Sequence, residues 1–206
     1  TGLSKVVNGK ILINGKDITH KNIKDRYKEG MGHIPADRHK HGLILDFSLK
    51  ENFVIHAYDQ EPFSKHGVLQ PDEISKYAER LIDEFDVRSG KGKDSLTRSM
   101  SGGNQQKAII AREIDRSPDL LVVVQPTRGL DVGAIEYIHK RIIQERDKGK
   151  AILLVSFELD EILDLSDRIA VLFEGQITTT LNAKDTNEKE LGLYMSGSKK
   201  GGDINE

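Results

Sequence analysis

Ser101-Gly102-Gly103-Asn104-Gln105 have the types and spacing to seat an anion. A serine caps a helix through its hydroxyl, and two glycines leave backbone N–H groups bare for close approach. The first turn of a helix is also the positive end of its dipole, so phosphate is the anion that suits it. Taken alone, Ser-Gly-Gly reads equally well as an ordinary Gly-rich cap. The residues after it carry more. Ala108, Ala111 and Ile114 recur at helical spacing, with Ile109 and Ile110 widening the apolar face. The helix ends near Ser117-Pro118, because the residue before a proline is pushed out of the helical region. Residues 120–124 then read as a short buried strand, with Asp119, Pro126, Gly129 and Asp131 at its edges. A phosphate-facing helix start followed at once by such a strand points to a nucleotide-handling α/β core.

The elements that must position this stretch follow an alternating order. Residues 10–13 before Asn14-Gly15 read as one arm of a tight hairpin, for which Asn-Gly is the strongest short signal. Residues 31–35 read as a short strand, and residues 71–85 as an amphipathic helix with Ile74, Ala78, Leu81, Ile82 and Phe85 on one face and Pro71 at its start. Residues 86–99 read as a charged linker whose Lys91, Lys93 and Arg98 either steer phosphate or, as is usual for such a run, form a solvated loop. Beyond Asp131 the pattern predicts a helix over 134–148, a buried strand over 151–156, a short helix over 159–165 and a strand over 168–173. A strand over 176–180 follows, and then a last helix to about 195 with a capping box from Asp185 to Glu188. This βα alternation predicts a mainly parallel sheet with helices on both faces. Residues 196–206 read as a flexible Gly-, Lys- and Ser-rich tail.

Composition narrows the function classes. With 206 residues the chain is long enough to bury one domain core. A net charge of −2 argues against nucleic acid as the main partner, because a phosphate backbone demands a basic face. Cysteine is absent, which removes disulfides and thiolate metal sites. No apolar run approaches membrane-spanning length, and no signal peptide precedes the first strand, so a cytoplasmic domain is expected. His33, His39 and His41 cluster near one strand end. They read as a metal site or as a charged surface loop, and no carboxylate or thiol spacing completes the former.

The string MSGGNQQKAIIAREIDRSPDLLVVVQPTRGLD resembles, in order and spacing, the signature motif, Walker B strand and D-loop of ABC ATPases. SGGNQQK and QPTRGLDVGAIE are similar to the second nucleotide-binding domain of fused importer subunits for nucleosides and ribose-like sugars. The resemblance covers residues 2–195. It implies an α/β, P-loop NTPase-like ABC domain: a core over 1–42 and 116–195, with a helical, signature-bearing subdomain over about 43–115. The Gly15-Lys16-Asp17-Ile18 segment matches the hairpin that follows the Walker A helix in this family, so the chain is expected to begin after the Walker A region. Neither Gly92-Lys93-Asp94 nor Gly149-Lys150-Ala151 supplies the G-x-x-x-x-G-K-[ST] loop.

The resemblance also assigns roles. Ser101, Gly102, Gly103, Asn104 and Gln105 form the signature, and Gly129, Leu130 and Asp131 the D-loop, completing an ATP site on a head-to-tail partner domain. The family's Walker B Asp-Glu pair is replaced by Val124 and Gln125, its switch histidine by Phe157, and its Q-loop residue by Ala36. Valine cannot hold a magnesium shell, and an amide cannot take the proton a carboxylate would. The chain's own hydrolytic site is therefore expected to be degenerate, with no metal ligand intact. ATP and Mg2+ are the implied cofactors of the assembled transporter. Its implied partners are a second nucleotide-binding domain and transmembrane permease subunits, with the chain peripheral on the inner face of the cell membrane. Two other readings are a half-domain that only docks on partners and a soluble ABC protein of DNA repair or ribosome work; the acidic balance and the lack of a coiled-coil insertion oppose the latter. A strand missing beside the Walker B strand would expose a sheet edge and favour self-association.

Overall fold

The structure, a computed structural model, describes residues 1–199. The flexible-tail reading beyond residue 199 falls outside the described residues. The chain divides into two compact units, Thr1–Leu153 and Leu154–Glu206, and the division falls inside one strand.

The first unit opens with a hairpin of β1 (Leu12–Ile13) and β2 (Lys16–Asp17). Asn14 and Gly15 both have positive φ (50° and 77°), as a tight two-residue turn of this hand requires. Helix α1 (Ile23–Lys28) follows, capped by the Asn22 side chain, and leads into β3 (Met31–Ile34). A π-helical turn (Arg38–Gly42) connects β3 to α2 (Leu49–Val54), where Ser48 and Glu51 form a reciprocal capping box. A small hairpin of β4 (Ser64–Lys65) and β5 (Val68–Leu69) precedes α3 (Pro71–Glu84), which has Pro71 at its first position. Ile74, Ala78, Leu81 and Phe85 of that region are buried, as the amphipathic pattern predicts. Helix α4 (Gly102–Asp115), β6 (Leu120–Val124), α5 (Val132–Asp147) and β7 (Ala151–Val155) complete the run.

Strands β3, β6 and β7 form a sheet in that order, with β3 and β6 parallel and in register from Met31 opposite Leu120 to Ile34 opposite Val123. The β6 residues divide by side. Leu120, Val122 and Val124 join Ile13, Ile18 and Met31 in one apolar cluster, so the opening hairpin covers one face. Leu121 and Val123 are fully buried, as are Ile109, Ile110 and Ala111 of α4.

In the second unit, α6 (Leu159–Leu165) precedes β8 (Arg168–Phe173) and β9 (Gln176–Asn182), and α7 (Glu188–Met195) follows. Ile169, Val171, Leu191 and Tyr194 form its small core, with Leu159 and Ile162 against it.

Five expectations change. The single, mainly parallel sheet is replaced by one three-stranded sheet and three separate antiparallel hairpins. Two-residue turns such as Glu174-Gly175 between β8 and β9 permit only antiparallel pairing. Both sides of β6 are taken, by β3 and β7, so the expected open edge beside that strand is not there. Strand β7 is one of the two outer strands of this sheet, and it is not a buried strand: Ala151, Leu153 and Val155 are exposed. A short apolar run does not by itself reveal its place in a sheet. Residues 86–99 are largely exposed, as the charged-linker reading expects, but not without structure: 3-10 turns form at Gly92–Asp94 and Thr97–Ser99, and Val87, Ser95 and Thr97 are buried. Lys93 pairs with Glu79, and Thr97 lends its hydroxyl to the Ile44 carbonyl at 3.0 Å. Finally, α7 is capped by Asn187, which accepts from the Glu190 N–H at 3.1 Å, while Asp185 accepts from Asn182. Both positions offer cap chemistry, and the later one wins because the helix starts at Glu188.

Candidate functional site

The signature residues form the start of α4 as read from their types. Ser101 is the N-cap: its Oγ accepts from the Asn104 N–H at 3.4 Å and from the Asn104 side-chain Nδ2 at 2.9 Å. Asn104 Oδ1 in turn accepts from the Arg88 N–H at 2.7 Å. Gln105 is buried and donates from Nε2 to the Thr97 carbonyl at 2.8 Å, tying the helix start to the 3-10 turn before it. Gly102 and Gly103 occupy the first two helical positions. Their N–H groups belong to the set that a helix leaves without internal partners.

The D-loop residues lie beside them. Asp131 caps α5, its Oδ1 accepting from the Ala134 N–H at 2.9 Å. A Cβ placed on Gly103 would meet Ala134 Cβ at 3.4 Å and Asp131 Oδ2 at 3.8 Å, so the starts of α4 and α5 abut. Gly129 has φ of 71°, which lets Arg128-Gly129-Leu130 turn sharply before that cap. Two helix N-termini side by side make a positive, amide-rich surface, with the Asp131 carboxylate engaged in capping.

The other singled-out positions offer a poor donor set. Val124 packs in the apolar cluster with Ile13 and Met31. Gln125 follows it in the left-handed region (φ 49°), with its amide Nε2 buried and without a hydrogen-bond partner. Ala36 is exposed, two residues beyond the end of β3; parallel pairing with β6 puts Ala36 and Gln125 at the same end of the sheet. Phe157 lies in the second unit and is 78% exposed. An apolar side chain, an amide and a methyl group do not fit Mg2+, which takes oxygen ligands and favours carboxylates. Among the described residues no group of three or more His, Cys, Asp or Glu side chains could hold a metal ion.

Several residues that hold this helix in place carry no motif signal. His39, expected on a loop or a metal site, bonds through Nε2 to Gln105 Oε1 at 2.9 Å. Arg38 donates from Nη1 to the Arg128 carbonyl at 3.4 Å. Within α4, Glu113 is fully buried and accepts from Arg112 Nε at 2.9 Å and from the His33 N–H at 3.2 Å, with His56 Nε2 at 3.4 Å. Burial pushes its carboxyl up, but the Arg112 guanidinium, His56 and the His33 N–H outweigh that and hold it at about 2. Burial keeps the His33 imidazole below its ordinary value, opposed by Glu113. Tyr27 stacks on His56 at 4.5 Å between ring centres, and the Arg116 guanidinium lies over the Tyr27 ring at 4.5 Å from its centre. This network joins α4 to α1, β3 and the end of α2. The only sequence sign was a charged pair, Arg112-Glu113, inside an apolar helix.

The sequence profile of the ABC transporter family matches residues 1–128, across the hairpin, the π-helical turn, the signature and the Walker B strand. The chain belongs to the ABC transporter family. Among curated relatives, this ABC chain is 56% identical over 200 residues to the guanosine import ATP-binding protein NupO of Bacillus subtilis, covering 96% of the chain and 39% of that protein. It is 54% identical over 206 residues to the nucleoside import ATP-binding protein NupA of Lactococcus lactis, covering 100% of the chain and 40% of that protein. The ribose import ATP-binding protein RbsA of Lactococcus lactis is 35% identical over 198 residues, covering 96% and 40%. The chain thus spans about two fifths of the length of these relatives. Its fold matches the crystal structure of a nucleotide-free ATP-binding cassette from an ABC transporter with a TM-score of 0.72 at 22% identity, covering 95% of the chain and 76% of the cassette. A dimeric, post-hydrolysis cassette bound to ADP and Pi matches with a TM-score of 0.70 at 20% identity, covering 88% and 76%. No described helix of this ABC chain is long and apolar enough to cross a membrane.

Proposed function

We propose that this chain is part of the ATP-binding subunit of an importer for nucleosides, and that it works as the signature-bearing half of an ATP site. The observation that carries this reading is the juxtaposition of the Ser101–Asn104 turn with the Asp131 cap, set against Val124, Gln125 and Ala36 where ligands for magnesium and water would be needed. Ser101, Gly102 and Gly103 would hold the terminal phosphate of an ATP whose phosphate loop and magnesium ligands belong to a partner nucleotide-binding domain. That phosphate brings the hydrolysable bond; this chain supplies amide donors and a helix dipole, positioned before the reaction begins. Gln125 would orient water without accepting a proton, so this chain's own half-site would hold nucleotide rather than turn it over. Transmembrane permease subunits would receive the closure, with the subunit peripheral on the cytoplasmic side.

Nucleosides rank before sugars because the nucleoside importers are the more similar relatives, at 56% and 54% identity against 35% for the ribose importer. The degenerate positions also suit a second reading, a half-domain that docks on partners without contacting nucleotide. Reconstitution of the assembled importer into liposomes, with uptake of labelled guanosine and labelled ribose followed separately, tests the assignment. ATP-driven guanosine uptake without ribose uptake is expected. Ribose uptake alone would move the protein to the sugar importers, and uptake independent of ATP would end the energy-coupling reading.

A further inference from the structure

The π-helical turn after β3 lies along one face of the signature helix. Its residues meet Gly102, Gln105 and Ile109, which are spaced by three and four and so share a face of α4. At the first level the Arg38 guanidinium covers Gly102: Nη2 lies 2.9 Å from where a Cβ on that glycine would stand. At the second, His39 bonds to Gln105. At the third, Gly42 leaves no room for a side chain, since its Cβ would stand 2.5 Å from Ile109 Cδ1. The turn itself is held at both ends. Asp37 Oδ1 accepts from the N–H groups of His39 and Lys40, each at 3.0 Å, and the Leu43 N–H donates to the Arg38 carbonyl at 2.8 Å. These N–H groups, Lys40 first, keep the Asp37 carboxyl below its ordinary range.

The hydrogen-bond directions fix the chemistry of the middle contact. Gln105 Nε2 is committed as donor to the Thr97 carbonyl, so Oε1 is the atom that faces His39. His39 must therefore donate from Nε2, either as the neutral Nε2–H tautomer or as the cation. Arg38 reaches further. Its Nη1 donates to the Arg128 carbonyl, which belongs to the loop that leads into the Asp131 cap. One side chain thus bridges the signature turn and the D-loop, while its neighbour locks the first turn of α4.

We infer that Arg38 and His39 are positioning residues for the signature turn, holding its amides and the D-loop in one register for a phosphate presented by the partner domain. The inference rests on the trans-acting role proposed above. It also gives the signature Gly102 a second duty, since any side chain there would displace the Arg38 guanidinium.

The test uses the assembled importer with steady-state ATP turnover, thermal melting, and amide hydrogen exchange over residues 101–105 in the absence of nucleotide. His39→Phe keeps a ring and loses the donor; Arg38→Met keeps the stem and loses the guanidinium. Each is expected to lower kcat about tenfold while KM stays within about twofold, because nucleotide is gripped first by the partner's phosphate loop. Exchange at Asn104 and Gln105, whose N–H groups are bonded to Ser101, should rise with no shift in melting temperature. His39→Gln, which restores an amide donor toward Gln105 Oε1, should return kcat to within about twofold of the parent. Ser101→Arg, run beside them, reports on the underlying reading. If Ser101→Arg abolishes turnover while His39→Phe and Arg38→Met remain at parental kcat, the positioning role is wrong and the trans role stands. Parental turnover in Ser101→Arg would remove both. A general loss of exchange protection with a large drop in melting temperature would show structural residues and overturn the inference.

Discussion

Gly103→Asp in the assembled importer is expected to lower ATP turnover by about a hundredfold or more without loss of fold, as for removal of a preorganised oxyanion donor. The substituted side chain would project toward Ala134 Cβ, 3.4 Å from the new Cβ, and toward Asp131 Oδ2 at 3.8 Å. Two carboxylates would then meet at the start of α5, and a negative charge would stand where the phosphate is to be received. Stability should fall by no more than about 1 kcal/mol, because the helix dipole and the helix propensity of aspartate over glycine offset most of the repulsion from Asp131. Loss of function with a retained melting temperature is therefore the signature of a blocked anion seat. Phosphate release under saturating ATP measures the first quantity and calorimetry the second. Parental turnover in this variant would mean that no phosphate approaches α4.

Glu113→Ala has the largest expected effect on stability, about 3–5 kcal/mol, because it removes one member of a buried charged network. Arg112 is only 3% exposed and would be left as an uncompensated charge, and the His33 N–H would lose its acceptor. Pairing the change with Arg112→Met should recover part of the loss, since the cost lies in the orphaned cation rather than in the missing carboxylate. The pH dependence has a definite sign. The folded carboxyl at about 2 lies below its ordinary value of 4.5, so its contribution is complete above about 4.5 and is lost as pH falls toward 2. His33 acts in the same direction: burial favours its neutral form, and that contribution fades as pH drops below its ordinary value of 6.5. Urea midpoints of parent and Glu113→Ala, followed from pH 7 to pH 3, should converge on the acid side. A constant gap across that range would contradict the role given to Glu113.

What could be read in the sequence was local, and what could not was long-range. Ser101 as cap, α4 with its apolar face, the Asn14-Gly15 turn and α3 with Pro71 at its start each rest on residues within a turn or two of one another. By contrast, His39 and Gln105 are 66 residues apart, Arg38 and Arg128 are 90 apart, and His33 and Glu113 are 80 apart. No periodicity announces such pairs. They become visible only when β3 pairs with β6 and carries the turn after it onto α4. The strand β7 failed differently: an apolar run reads as buried wherever it occurs, whereas Leu153 and Val155 are exposed on an outer strand of the sheet. Residues 86–99 look solvated by charge, yet the buried Ser95 and Thr97 hold the chain just before the signature.

The central claim is an asymmetric ATP cycle in which this chain lends its signature and D-loop while its own half-site does not hydrolyse. Counting phosphate released in the first turnover of the assembled importer, with both nucleotide positions loaded before mixing with magnesium, measures this directly. One phosphate per pair of nucleotide-binding domains is the predicted burst, unchanged when Gln125 is replaced by alanine. Two per pair would show that the site bearing Val124 and Gln125 is competent, and would contradict the account.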